Sequence, residues 1–75
     1  MLAEVNNKKL LPTVLGGEYE LIPKKKSSGT RKRGVLEKWT YRRGRRNLAV
    51  FRFPAGYREC FSVADFVLDW EVRRR

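Results

Sequence analysis

The sequence predicts a small α+β domain, a three- to four-stranded antiparallel meander packed against one C-terminal α-helix. Three observations carry that expectation. Short alternating apolar and polar segments, separated by glycine- and proline-bearing turns, occupy the middle of the chain. Val63, Phe66, Val67 and Trp70 then fall at i, i+3, i+4 and i+7, a helical stripe. Finally, 75 residues suit one core, and no internal repeat or second domain is visible.

Residues 1–17 are expected to form an arm or a short helical turn, with Leu10, Leu11, Val14 and Leu15 as its apolar contacts. Pro12 argues against a longer helix there. Gly16-Gly17 marks a break, and residues 18–75 form the single basic domain. Glu18 to Ile22 alternates and is closed by Pro23, so it is expected as a strand. Lys24 to Gly34 contains no apolar residue and several turn formers, which predicts a mobile, exposed basic loop.

Val35 to Arg42 reads as a strand, with Val35, Trp39 and Tyr41 on one face and Lys38, Thr40 and Arg42 on the other. Arg46 to Phe53 is another, and the short connection Arg43-Gly44-Arg45 predicts an antiparallel hairpin. Phe53-Pro54-Ala55-Gly56 suits a type I turn, from which Tyr57 to Phe61 returns as a short strand. Ser62 is the expected N-cap of the last helix, with Asp65 able to bond back to it. Arg73 to Arg75 would complement that helix's dipole.

Charge points to function. Eighteen Lys and Arg against eight acids give +10 at pH 7. Between Lys24 and Arg52 stand twelve basic residues and one acid, Glu37, whereas the remainder holds six basic and seven acidic residues. An excess confined to one window marks a binding face rather than general solubility. The expected partner is nucleic acid, DNA ahead of RNA, in a regulatory, recombination-accessory or architectural role.

The candidate binding residues form three groups. At the hairpin tip, Arg42, Arg43, Arg45 and Arg46 suit directed phosphate or guanine contacts. In the loop, Lys24, Lys25, Lys26, Arg31, Lys32 and Arg33 suit sequence-independent contact with the phosphate backbone. On the open sheet face, Lys38, Thr40, Arg42 and Arg52 would dock beside them. Trp39, Tyr41, Phe66 and Trp70 are assigned to the core ahead of base stacking. Alternatives are an RNA- or ribosome-binding protein and a protein-binding inhibitor of a nucleic-acid enzyme. A toxin-type ribonuclease using Tyr41, Arg42 and Arg45 is the enzymatic alternative, but no spacing demands it, so no catalytic residue is assigned.

With one cysteine and no histidine, neither an intrachain disulfide nor a zinc site of the usual ligands can be built, and no metal or cofactor is expected. Cys60 is expected as a packed thiol. No apolar run approaches the roughly 18 residues of a spanning helix, and Lys8-Lys9 interrupts the start, so neither a membrane partner nor a secretion signal is expected. The expected setting is the cytoplasm. The first 15 residues are open to two expectations, an extra core element or a homodimer contact, and a protein partner is also among the expected interactions.

Overall fold

The computed structural model describes residues 11–75. Five antiparallel strands form one sheet: β1 (Glu18–Pro23), β2 (Lys32–Arg42), β3 (Arg45–Arg52), β4 (Arg58–Ser62) and β5 (Trp70–Arg74). One short helix, α1 (Val63–Leu68), joins β4 to β5. The spatial order is β4-β3-β2-β1-β5, so a four-strand meander is completed by a strand that crosses to the far edge beside β1. The sheet therefore has five strands where three to four were expected, and the fifth comes from the expected helix.

That correction has a local cause. Ser62 accepts from the Asp65 amide at 3.2 Å and Asp65 accepts from the Ser62 amide at 2.8 Å, a capping box that starts the helix as expected. Six residues later the helix stops at Asp69, and Trp70 to Arg74 pair with Pro23 to Tyr19. Trp70-Glu71-Val72 alternates with period 2 as readily as Val63, Phe66, Val67 and Trp70 match a helix, and the open edge of β1 decides between them. Val67, a member of the supposed stripe, is 45% exposed.

The inner face of the sheet holds the core: Tyr19, Leu21, Leu36, Trp39, Ala49, Phe51, Phe53, Phe61, Phe66 and Trp70. Phe51 is central, with edge-on contacts to Tyr19, Phe61 and Phe66 at 6.2, 5.7 and 6.3 Å between ring centroids. Phe61 on β4 and Trp70 on β5 meet at 5.8 Å although their strands lie at opposite edges. The sheet is thus strongly curled, with Phe66 of α1 buried against Trp39, Phe51 and Phe61.

Residues 11–17 form no helical turn; Leu10 lies outside the described residues. Pro12 is fully buried, its carbonyl accepts from Trp39 Nε1 at 2.9 Å, and the Tyr19 hydroxyl accepts from the amides of Thr13 and Val14. Gly16 and Gly17 exchange backbone bonds with Leu36, prolonging the β1–β2 ladder.

A bulge between Leu36 and Lys38 changes the face assignment in β2. Leu36 and Trp39, three apart, both point inward, which strict alternation forbids and an extra residue permits. Val35 therefore faces outward, opposite Arg52, not inward with Trp39. Cys60 is also corrected: it is exposed on the outer face, opposite Val50, because β4 turns Phe61 and not its neighbour toward the core.

Candidate nucleic-acid interface

The β2–β3 hairpin projects beyond the core. Trp39 is the last buried residue of β2 and Ala49 the first of β3, and Leu48 still pairs with Ser62 of β4, so Tyr41 to Asn47 extend past the body. Two paired residues on each strand at about 3.3 Å give a reach of roughly 7 Å up to the turn. The turn itself is two residues long. Arg43 at φ 53° and Gly44 at φ 75° are both left-handed, the signature of a type I′ turn. Asn or Gly is the usual first residue of such a turn, because positive φ brings a Cβ against the next carbonyl and costs most residues about 1–2 kcal/mol. Arginine here bears that cost.

A second irregularity sets what the tip presents. The register shifts between Thr40 and Tyr41, leaving Asn47 without a partner, and the Thr40 hydroxyl accepts from the Leu48 amide at 3.0 Å to close the bulge. Arg42 lies directly opposite Arg45, and Tyr41 opposite Arg46. The Arg46 guanidinium rests 5.5 Å from the centre of the Trp39 ring, so Tyr41 and Arg46 share the inner face, and Arg42 and Arg45 the outer. The tip is a finger with guanidiniums on both faces and at its apex. Arg42, Arg43, Arg45, Arg46 and Asn47 line an open concavity there. All four arginines are exposed, and none forms an ion pair among the described residues.

Elsewhere Glu20, Glu37, Glu59 and Glu71 are paired with bases. Arg31 meets Glu20 at 3.1 Å, Arg73 meets Glu71 at 2.8 Å, and Glu37 takes both Arg52 (3.5 Å) and Arg58 (2.6 Å). The hydrogen bond from Arg58 holds the Glu37 carboxyl below its ordinary value, aided by the charges of Arg58, Arg52 and Lys38 and opposed by partial desolvation. In return the bond to Glu37 raises Arg58, as the bond to Glu71 raises Arg73.

The remaining expected residues are dispersed. Lys32 lies in β2, not in a mobile loop. Its ammonium turns inward between the rings of Phe53 and Trp70, 5.7 Å from each, and bonds Glu59 at 2.6 Å. Register explains this, since Lys32 pairs with inward-facing Leu21. Lys24 is exposed, but Nζ donates to the Val67 carbonyl at 2.8 Å and its amide to that of Asp69, tying the loop to α1. Lys25 and Lys26 are exposed where a 3-10 turn, Lys26–Ser28, begins. Arg33 is exposed on β2, opposite Glu20. Lys38 is exposed on the outer face, opposite Val50. The loop and the hairpin tip sit at opposite ends of the 11-residue β2, about 30 Å apart at 3.3 Å per residue, so they are two clusters.

Two features escape sequence reasoning. Tyr41, expected in the core, is 63% exposed, because the hairpin carries it past the body. Arg58 stands outside the basic window of the sequence, yet it lies directly opposite Arg52 in the β3–β4 register. No local signal foretells either.

Comparison of the chain with protein-family models, curated proteins and solved structures returns no match. Among the described residues no helix is long and apolar enough to cross a membrane, and no group of three His, Cys, Asp or Glu side chains is placed to hold a metal ion.

Proposed function

We propose that this protein binds duplex DNA by inserting the arginine-tipped β2–β3 hairpin into the major groove. The observation that carries the reading is the tip: four exposed arginines, unpaired among the described residues, one of them held at positive φ. Like charges on a tight turn repel one another, and a left-handed arginine adds backbone strain. Both costs make sense when the side chains meet an anionic partner.

The dimensions support the reading. B-DNA's major groove is about 12 Å wide and 8.5 Å deep and admits a two-stranded ribbon, and the finger projects roughly 7 Å before its turn and side chains are added. Guanidiniums on both faces reach toward both phosphate walls, while Arg43 at the apex is directed at the groove floor, where guanine offers two acceptors. Lys38 continues the basic outer face toward the body. The setting we propose is the cytoplasm, where exposed Cys60 stays a free thiol.

Tyr41 favours a second reading, RNA. An exposed aromatic ring among arginines is a platform for an unpaired base. The experiment that separates them is binding of labelled duplex DNA and of structured RNA across a salt series. Duplex binding whose log affinity falls linearly with log salt, and survives RNA competition, supports the first reading. Preference for RNA loops supports the second, and no binding to either polymer refutes both.

A further inference from the structure

Glu37 is the sole acid in the basic window of the sequence, and its position is specific. The bulge after Leu36 sets it against the outer face of β3 and β4. Arg58 grips its carboxylate with a fork, Nε to Oε1 at 2.6 Å and Nη2 to Oε2 at 3.4 Å, and Arg52 approaches Oε2 at 3.5 Å. Two planar donors converging on two anionic oxygens is how arginines grip a phosphate. Yet each of the three side chains retains access to solvent, at 26% for Glu37, 53% for Arg52 and 58% for Arg58. The cluster is reachable, and the place of an anion in it is taken from within.

We propose that Glu37 acts as an internal stand-in for phosphate: it occupies Arg52 and Arg58 and confines the DNA footprint to the hairpin end of the outer face. The inference rests on the DNA-binding reading above. A phosphate reaching this end of the sheet must displace a tethered carboxylate that competes at high effective concentration. Without it, the basic outer face would continue unbroken from Arg42 through Lys38 to Arg52 and Arg58. The protein thereby limits its sequence-independent affinity and leaves the tip to select the site.

The test is Glu37→Gln, nearly isosteric, with Glu37→Ala as a second variant and thermal melts to verify both folds. Glu71→Gln makes the same change in net charge at an acid paired with Arg73 and serves as control. Each phosphate newly neutralised adds about 0.9 to the salt slope, and about tenfold in affinity at 0.1 M salt. Glu37→Gln should therefore steepen the slope by about 1 to 2 and tighten duplex binding by about tenfold or more, whereas Glu71→Gln leaves the slope unchanged. Adding Arg52→Gln and Arg58→Gln to Glu37→Gln should return slope and affinity to wild type. If wild type binds but Glu37→Gln matches it, binds more weakly, or changes no more than Glu71→Gln, the competitor role is wrong and the DNA reading stands. If neither wild type nor Glu37→Gln binds duplex, the DNA reading itself falls and takes this inference with it.

Discussion

Replacing Arg43 with asparagine should stabilise the protein and weaken its binding at the same time. Arg43 has φ 53° at the first central position of the hairpin turn, and its side chain is exposed, without an ion pair among the described residues. A non-glycine residue there costs about 1–2 kcal/mol, and asparagine, which tolerates this region, should recover about 0.5–1 kcal/mol. In a domain of this size each kcal/mol moves Tm by about 4–8 °C, so the gain should be about 2–8 °C. Relief of repulsion from Arg42, Arg45 and Arg46 acts in the same direction. Binding should respond oppositely. Removing one arginine from the phosphates lowers the salt slope by about 0.9 and the affinity by about tenfold at 0.1 M salt. The assays are thermal unfolding by circular dichroism and fluorescence anisotropy with labelled duplex. A fall in Tm would refute the strain argument, and unchanged affinity would show that the apex arginine touches no DNA.

Arg43→Ala with Arg45→Ala should weaken duplex binding by about 1–3 kcal/mol for each arginine that reads a base, with the melt nearly unchanged; equal binding would remove the hairpin as the reading element. Gly34→Ala should destabilise by about 1–3 kcal/mol, since a Cβ there would lie 2.8 Å from the Phe53 ring, and urea titration would expose the error if the midpoint did not move. Trp70→Ala, which removes the packing between the two edges of the sheet, should cost about 3–5 kcal/mol and leave little or no cooperative melt. Cys60, being exposed, should react stoichiometrically with a thiol reagent in the folded state; protection until urea is added would contradict its place on the outer face.

Parts of this architecture were legible residue by residue. The β2–β3 hairpin follows from alternation on either side of Gly44, and the start of α1 from Ser62 and Asp65, because turns and caps are satisfied by neighbours along the chain. Phe66 and Trp70 as core residues follow from size and hydrophobicity alone. The four arginines of the candidate interface were likewise plain, since a hairpin tip is exposed whatever the body does.

What the tertiary structure alone decided depends on distant partners. Trp70 to Arg74 became a strand because β1 offered an unpaired edge, a fact written some 50 residues earlier in the chain. The bulge at Glu37 turned Val35 to the face opposite Trp39, since period-2 reasoning fails wherever one extra residue enters a ladder. Lys32 turned inward because it pairs with inward-facing Leu21, and its charge found Glu59 across the curled sheet. Charge shows the division most clearly. Composition determines an excess of +10 and the window that holds most of it. Only the pairing of strands determines that Arg31, Arg52 and Arg58 meet an acid. Ion pairs form through space, and the register between strands sets those distances.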